Sequence, residues 1–377
     1  SAYWKKQKGD MNMQKLSIIT LVIGVSLMLC APAFSKAPPI AIVIHGGAGT
    51  INKAQMTPEQ QAAYEATLNQ AVTAGYQVLE NGGTSLLAVT TAIEILENSP
   101  LFNAGKGAVY TDNGTHELDA SIMRGDTLAA GAVAGVTIVK NPIQLAVAVM
   151  EKSEHVFLAG SGAEQFAKEQ GVALVDNSYF DTDFRLEQLK KAKSLQKEKQ
   201  KQIAMQSPNE QLPSLLSAQP NNLSVRLQAD WPVEFNMGTV GAVAIDRAGN
   251  LVAGTSTGGM TAKKYGRIGD APVIGAGNYA NNQSCGVSAT GHGEFFIRYH
   301  VAADICARVK YQKLSAKTAA EQVIAELKKV GGTGGVIVLD PQGNASWSFN
   351  TEGMYRAKKV EGQPVEVAIF AEDQKAD

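Results

Sequence analysis

Residues 238–246 read Gly-Thr-Val-Gly-Ala-Val-Ala-Ile-Asp and place Thr239 directly between a glycine and a short apolar strand. A second threonine-rich run, residues 254–260, follows a turn. Self-cleavage before Thr239 would give this residue a free α-amino group beside its hydroxyl, and the amine's pKa of about 7.7–8.0 suits a base near neutral pH. The pattern predicts an N-terminal threonine nucleophile; a buried strand threonine beside a flexible glycine is the alternative.

The pattern on both sides of this stretch predicts two packed β-sheets. Apolar runs at 240–245 and 251–255 flank one glycine-containing turn, and runs at 336–339 and 345–349 flank another, so each pair is predicted to form a β-hairpin. Further strands are predicted at 40–44, 117–123 and 132–139, and helices at 57–80, 85–97, 144–151, 163–170, 294–310 and 316–329. Strands, then helices, then strands favour two sheets face to face with helices outside.

Several separated motifs make the chain resemble the plant-type asparaginase and isoaspartyl peptidase family of N-terminal-nucleophile hydrolases. In chain order they are IHGGAG at 44–49, PLFNAG at 100–105, ELDA at 117–120, GAVAGV at 131–136, GTVG at 238–241, GRIGD at 266–270, TGHGE at 290–294 and NTEGMYR at 350–356. The resemblance covers about residues 40–357. It implies an α/β fold of the four-layer αββα type and a self-processing amidohydrolase that releases L-aspartate from β-aspartyl dipeptides and L-asparagine.

The resemblance also implies a role for each catalytic residue. Thr239 would attack the Gly238 carbonyl during self-cleavage and the substrate carbonyl afterwards. Thr257 would lie beside Thr239 and hydrogen-bond its hydroxyl or amine. Thr290, with the backbone N–H of Gly291, would form an oxyanion hole for the tetrahedral intermediate.

A candidate substrate clamp lies in the loop that carries Arg267 and Asp270. An arginine fork binds a carboxylate at two points, and an aspartate binds an ammonium group, so together they suit the head group of a free amino acid. A surface salt bridge between the two residues is the alternative. The substrate contacts that the resemblance implies come from two loops: Arg267, Ile268, Gly269 and Asp270, and Thr290, Gly291, His292 and Gly293. His292 stands where the family often has a smaller residue.

The loop after the second predicted helix resembles the family's sodium loop, in which backbone carbonyls hold the ion. The matching positions are Leu96, Glu97, Ser99, Phe102, Ala104 and Lys106. Asn103, in the same loop, matches a family residue that supports the nucleophile through hydrogen bonds. A structural Na⁺ is therefore expected, and no organic cofactor. The five histidines have no metal-ligand spacing. His45 and His292 lie in glycine-rich loops and are interpreted as loop or core residues; approach of either one to the pocket is the alternative.

The first 35 residues are predicted to be an N-terminal extension and a secretory signal peptide. Lys15 precedes an apolar run at 16–30 and small residues at 31–35. The run is short for a membrane span of ~20 residues, although an uncleaved anchor is the alternative. An exported, periplasmic protein without a membrane segment after signal removal is expected. The two cysteines that remain, Cys285 and Cys306, are predicted to be buried free thiols.

The mature chain is predicted to be one folded domain made of two fragments. Residues 36–238 would form the α subunit and residues 239–377 the β subunit. A lysine- and glutamine-rich helix end leads into a flexible linker at about 190–236, which ends just before the cleavage site. The resemblance implies that the fragments stay together and pair as an (αβ)2 dimer. A net charge of −1 disfavours nucleic acid as a partner.

Two other functions remain open at this point. One is a glycosylasparaginase-like hydrolase, but that group usually has aspartate before its threonine, where this chain has Gly238. The other is a periplasmic amino-acid-binding protein that keeps the clamp and never cleaves. The presence or absence of self-cleavage separates it from the hydrolases.

Overall fold

The computed structural model describes residues 39–205 and 238–373. These residues form twelve β-strands and eight α-helices. The strands are β1 Ala41–Gly49, β2 Leu118–Arg124, β3 Ala130–Val136, β4 Phe157–Ala159, β5 Val240–Ile245, β6 Leu251–Thr257, β7 Asn278–Ala280, β8 Gly286–Gly291, β9 Gly334–Leu339, β10 Ala345–Phe349, β11 Gly353–Val360 and β12 Glu366–Phe370. The helices are α1 Pro58–Glu80, α2 Ser85–Asn98, α3 Pro142–Lys152, α4 Gly160–Glu169, α5 Asp183–Met205, α6 Gly293–Arg298, α7 Val301–Gln312 and α8 Ala316–Lys329.

The larger sheet brings together strands that are far apart in the chain. Its order is β12-β11-β1-β5-β6-β2-β3-β4, and only the β3–β4 pair is parallel. The central pair β1–β5 runs from Ala41 opposite Ile245 to His45 opposite Gly241. Strand β5, which follows Thr239, therefore lies between β1, the first strand of the described residues, and its own hairpin partner β6.

The smaller sheet has the order β10-β9-β8-β7, and both predicted hairpins, β5–β6 and β9–β10, are confirmed. Three buried apolar clusters define the layers. One lies between helices α1–α4 and the larger sheet, one between α6–α8 and the smaller sheet, and one between the two sheets. Successive side chains of β5 point to opposite faces of the sheet, so the strand contributes to two of these clusters. Val240 packs against the helices, and Val243 packs against the smaller sheet. The predicted four-layer αββα sandwich is confirmed.

Helix α1 begins where the local sequence predicts. The Thr57 hydroxyl accepts a hydrogen bond from the Gln60 backbone, and the Gln60 side chain accepts one from the Thr57 backbone. Pro58 occupies the first turn, where its missing N–H costs nothing. This capping box fixes the start of the helix without any tertiary contact.

One predicted helix is two helices. The segment predicted as a single helix at 294–310 breaks between α6 and α7, where His300 adopts a left-handed backbone with φ 48°. The apolar periodicity continues across the break, so the sequence pattern does not reveal it. The break turns α7 so that it packs on the smaller sheet through Val301 and Ile305.

The prediction of two free thiols is wrong. Cys285 and Cys306 form a disulfide, with their Cα atoms 5.3 Å apart. Cys285 immediately precedes β8 and Cys306 lies on α7; the packing of α7 against the smaller sheet buries both sulfurs in one cluster. Two cysteines on different elements give no sign of this proximity in sequence.

Two sequence predictions concern segments that the structure does not describe. The signal peptide and N-terminal extension, residues 1–35, lie outside the described residues, as does the linker from residue 206 to 236. Residues 190–205, the first part of the predicted linker, continue helix α5. Within 39–205 and 238–373, no helix has the length and apolar character needed to cross a membrane.

Candidate functional site

Thr239 and Thr257 meet at the ends of two neighbouring strands. Thr239 directly precedes β5, Thr257 is the last residue of β6, and these strands pair antiparallel. The Thr239 hydroxyl donates to the Thr257 hydroxyl at 3.2 Å, and the Thr257 oxygen also accepts from the Gly259 backbone at 3.1 Å. Both threonines are buried. The two residues that the sequence predicts to be neighbours are therefore in direct contact.

Gly238 is confined by its conformation and by its neighbours. Its φ of 114° lies in a region that side chains with a Cβ rarely adopt. A Cβ on Gly238 would lie 2.6 Å from Cβ of Asn103, and a Cβ on Gly47 would lie 2.6 Å from Cα of Gly238. The position before Thr239 therefore accepts glycine here, which counts against the glycosylasparaginase-like alternative with aspartate.

Asn103 makes three hydrogen bonds that support the backbone next to Thr257. Its side-chain nitrogen donates to the Gly259 carbonyl at 2.7 Å, and its side-chain oxygen accepts from the Val109 backbone at 3.0 Å. Its carbonyl accepts from the Gly258 N–H at 3.0 Å. Because Gly258 and Gly259 follow Thr257, Asn103 fixes the turn that carries a hydrogen bond to the Thr257 hydroxyl.

Two buried polar atoms of the predicted site residues have no hydrogen-bond partner among the described residues. They are the hydroxyl oxygen of Thr290, on β8, and one carboxylate oxygen of Asp270. Burial raises the pKa of Asp270 to about 7, against the opposing effect of the Arg267 charge. Unsatisfied buried polar groups are costly, and they are retained where a ligand satisfies them.

Arg267 forms its ion pair with Glu294 rather than with Asp270. Its Nε and Nη2 atoms donate to the two carboxylate oxygens of Glu294 at 2.8 and 2.9 Å. Nη1 makes no hydrogen bond within the described part of the chain, so one edge of the guanidinium is available to another carboxylate. Glu294 ends the TGHGE motif, but nothing in the sequence pattern predicts its pairing with Arg267.

Glu294 remains ionised in this position. Burial favours its neutral form, but hydrogen bonds from His292 and Arg267 outweigh burial and hold the pKa of Glu294 well below its usual range. His292 lies 3.2 Å from Glu294 and packs edge-on against Phe295. The larger side chain at position 292 is thus accommodated by Glu294 and Phe295.

Glycines bring the two predicted substrate loops together. A Cβ on Gly293 would lie 2.9 Å from a carboxylate oxygen of Asp270 and 3.0 Å from Nη2 of Arg267. A Cβ on Gly269 would lie 2.7 Å from Nη1 of Arg267. Ile268 is partly exposed beside them. The structure therefore places the arginine, the aspartate and the TGHGE loop in one cluster.

The predicted sodium loop folds back on the last turn of α2. It begins at the C-terminal end of α2, where the helix dipole is negative. Gly105, with φ 50°, brings its backbone against the Glu97 carbonyl, since a Cβ there would lie 2.3 Å from that oxygen. The closed loop and its oxygen donors fit a hard cation. In the described ranges, no cluster of His, Cys, Asp or Glu side chains could hold a metal.

The loop is joined to the strand of Thr257 by one buried side chain. The Glu97 carboxylate accepts hydrogen bonds from the Ser256 hydroxyl, the Ile143 backbone and the Asn141 side chain. Burial raises the pKa of Glu97 to about 7. The Glu97 side chain thus connects the loop to Ser256, the residue next to Thr257.

Comparison with known proteins agrees with this geometry. The sequence model of a family described as asparaginase matches residues 38–369. The chain is 47% identical over 332 residues to an isoaspartyl peptidase of Salmonella typhimurium, covering 88% of this chain and 98% of that protein. It is 46% identical over 334 residues to an isoaspartyl peptidase of Escherichia coli, covering 88% and 96%. It is 41% identical over 325 residues to a plant-type L-asparaginase of Pyrococcus abyssi, covering 86% and 97%.

The family model spans nearly all of the described residues, and the matched relatives are covered almost from end to end. Three of the motifs that gave the resemblance in sequence, IHGGAG, PLFNAG and GTVG, are in contact at Gly238 through Gly47 and Asn103. The chain belongs to the asparaginase family.

Proposed function

We propose that this protein is a self-processing amidohydrolase that cleaves β-aspartyl dipeptides and L-asparagine and releases L-aspartate. The observation that carries the proposal is the Thr239–Thr257 hydroxyl contact directly after the confined Gly238. The names of the matched relatives, isoaspartyl peptidase and plant-type L-asparaginase, support the same reaction class.

Self-cleavage makes the catalytic base. The Thr239 hydroxyl attacks the Gly238 carbonyl, the C–N bond between the residues breaks, and an ester replaces the amide. Water then hydrolyses the ester, which frees the Gly238 carboxylate and the Thr239 hydroxyl and leaves Thr239 with an α-amino group. The packing of Gly238 between Gly47 and Asn103 supports this step because it holds the carbonyl in one place.

Substrate hydrolysis uses the new amine. It takes the proton of the Thr239 hydroxyl as the oxygen attacks the side-chain carbonyl of the substrate, and it returns the proton to the leaving amine. The unpartnered Thr290 hydroxyl and the Gly291 N–H stabilise the oxyanion. Water attacks the resulting acyl-enzyme, which releases L-aspartate.

The clamp selects the amino-acid head group. The free Nη1 edge of Arg267 receives the α-carboxylate, and the unpartnered oxygen of Asp270 receives the α-ammonium. Glu294 keeps the guanidinium in place from its other edge. An α-linked peptide has no free α-carboxylate at its scissile residue, so this arrangement rejects it.

Three further parts of the proposal concern a bound ion, the cellular compartment and the assembly of the fragments. A structural Na⁺ bound by the carbonyls of the 96–106 loop would hold that loop closed; the helix end and Gly105 support it. Export to the periplasm is supported by the Cys285–Cys306 disulfide, because disulfides persist in oxidising compartments. The α and β fragments would remain together and form an (αβ)2 dimer.

Mass analysis of the purified protein tests the proposal. We expect two fragments with a new N-terminus at Thr239, and a Thr239→Ala variant that stays intact and inactive. Thr67→Ala is the matched control, because Thr67 is half-buried on α1 and its hydroxyl donates to the Ala63 carbonyl of the same helix. An intact wild-type chain would favour the amino-acid-binding alternative.

A dipeptide panel tests the substrate. β-Asp-Leu and L-asparagine should be cleaved, whereas α-Asp-Leu should react about 10⁴-fold more slowly or not at all, because a site built for a polar group rejects analogues lacking it. Comparable rates on the α- and β-linked peptides would contradict the roles given to Arg267 and Asp270.

A further inference from the structure

His45 is a buried side chain that the proposed chemistry does not use. It lies on β1 and is fully buried between the two sheets. Its Nδ1 atom is 3.0 Å from the carbonyl oxygen of Thr239. The backbone pairing of β1 with β5 ends at His45 and Gly241, two residues short of Thr239. The His45 ring therefore extends the contact between the strands to the nucleophile itself.

The partners of the ring fix its protons. A carbonyl oxygen only accepts, so Nδ1 carries the proton and donates it to Thr239. Burial lowers the pKa of His45 to about 3, so the ring is neutral and Nε2 must accept. Its partner is the Ser288 hydroxyl at 2.9 Å, and the Ser288 oxygen lies 2.7 Å from the Thr255 hydroxyl.

These contacts form one directed chain of hydrogen bonds. Ser288 donates to His45, and His45 donates to Thr239. The Thr255 hydroxyl lies 2.7 Å from the Ser288 oxygen and 3.0 Å from the Gly277 carbonyl, and its single proton is donated to one of them at a time. Thr255 lies on β6 and Ser288 on β8, so the chain joins both sheets beneath the nucleophile. Only one ring tautomer satisfies it, and that tautomer is the one that holds the Thr239 carbonyl.

Gly241 leaves space for this series of hydrogen bonds. A Cβ at position 241 would lie 2.0 Å from the Ser288 hydroxyl oxygen and 2.5 Å from Nε2 of His45. The second glycine of the GTVG motif is therefore required by the His45–Ser288 hydrogen bond. The glycine is independent evidence that the fold accommodates the His45–Ser288 hydrogen bond, because any side chain at position 241 would displace one of its two partners.

We propose that His45 is a positioning residue for Thr239, oriented by Ser288 and acting through the Thr239 carbonyl. The inference rests on the proposed function, in which Thr239 is the nucleophile. After self-cleavage Thr239 is a chain end, and chain ends fray unless they are held. The bond from His45 fixes the carbonyl side of the residue, and thereby the placement of its amine and hydroxyl relative to the substrate carbonyl.

Two substitutions at position 45 distinguish the roles of the two ring nitrogens. His45→Asn keeps a donor where Nδ1 stands and loses the contact with Ser288. His45→Gln keeps a group where Nε2 stands and loses the donor to Thr239. We expect His45→Gln to lower kcat by about 10- to 100-fold, the scale of a misplaced reacting group, and His45→Asn to lower it by about threefold. KM should change less than twofold in both, because the Arg267–Asp270 clamp is intact.

Rates are divided by the fraction of cleaved chain measured by mass, so that slow processing is not read as slow hydrolysis. The pH profile of kcat should shift in His45→Gln, because the Thr239 amine changes its surroundings. His116→Gln is the matched control. His116 is also fully buried and also bonds a carbonyl, that of Val109, through Nδ1. It should lower the melting temperature and leave kcat unchanged.

Ser288→Ala keeps the proposal testable if a variant at position 45 does not fold. It leaves the ring and its donor to Thr239 in place and removes the hydroxyl that donates to Nε2, so kcat should fall by about threefold, the same loss as in His45→Asn. Equal losses in His45→Asn and His45→Gln, or a Ser288→Ala variant with wild-type kcat and pH profile, would overturn the inference. Activity that survives in Thr239→Ala would instead overturn the proposed function.

Discussion

Gly47 and Gly238 meet backbone against backbone. A Cβ built on Gly47 would lie 2.6 Å from Cα of Gly238 and 3.0 Å from its nitrogen, and both residues have a φ near 114°. Gly47 belongs to the IHGGAG motif on β1, while Gly238 directly precedes Thr239, the proposed nucleophile. The IHGGAG motif therefore confines the backbone at the proposed cleavage site.

Gly47→Ala should slow self-cleavage strongly, because the added methyl group displaces Gly238 from the Thr239 hydroxyl. The measurement is the fraction of cleaved chain against time after purification. Gly162→Ala is the control, since a Cβ there meets nothing within 4 Å and Gly162 needs no special φ. Cleavage of Gly47→Ala at the wild-type rate would show that the Gly47 contact does not position the scissile bond.

Thr257→Ala should lower kcat by about 10²- to 10³-fold, the usual effect of removing one polar group that acts on the reacting atoms. Thr257→Ser keeps the oxygen that bonds Thr239 and Gly259, so it should keep most of the activity. The comparison of kcat between the two variants, measured on cleaved protein, isolates the hydroxyl. Equal activity in both would mean that the contact with Thr239 has no catalytic effect.

Arg267→Ala should weaken substrate use more than self-cleavage. The internal Gly238–Thr239 bond has no free α-carboxylate, so processing should continue, while kcat/KM should fall by an amount worth ~2–4 kcal/mol. Arg247→Ala is the control, because the Arg247 ion pair with Glu361 lies on the surface. If Arg267→Ala blocks processing, its role is to hold the loops together through Glu294.

Substrate capture should depend on pH through Asp270. The pKa of this carboxyl is about 7 because burial raises it, and only its ionised form holds an ammonium group. Below pH 7, protonation of Asp270 alone should therefore lower kcat/KM by about tenfold per pH unit. Protonation of the Thr239 amine lowers kcat/KM in the same pH range and makes the fall steeper. A profile that is flat from pH 5 to pH 7 would contradict this role of Asp270.

Asp270→Asn should lose activity and gain stability at high pH. A carboxyl whose folded pKa is raised takes up its proton more readily when folded, so it lowers the free energy of unfolding as pH rises from 3.8 to about 7. Above that range the cost is fully present, and the amide removes it. Denaturant unfolding at pH 8 should show Asp270→Asn to be more stable than the wild type, with the difference disappearing near pH 4.

Loss of the disulfide should destabilise the protein by about 3 kcal/mol, since the bond closes a loop of 21 residues. The double variant Cys285→Ala/Cys306→Ala should show a lower melting temperature, and reductant should lower that of the wild type. Reductant should have no effect on the double variant, which makes it the control. The same melting temperature in all cases would mean that the thiols are not bonded in solution.

The sequence by itself determined those elements that depend on local signals, and it supplied the candidate residues. The Thr57 capping box, the two glycine-containing turns and the apolar runs of β5 and β9 act over a few residues, so the printed order of residues is enough to predict them. The motifs likewise named Thr239, Thr257 and Arg267, because the chemistry needs those residue types.

Only the tertiary structure decided which distant residues meet. His45 reaches Thr239 across 194 residues, and Glu294 reaches Arg267 across 27, because the sheet order puts β1 beside β5 and the turn into α6 beside the clamp loop. The Cys285–Cys306 disulfide depends in the same way on how α7 packs. Such contacts are set by the packing of whole layers, and local periodicity and turn chemistry carry no information about them.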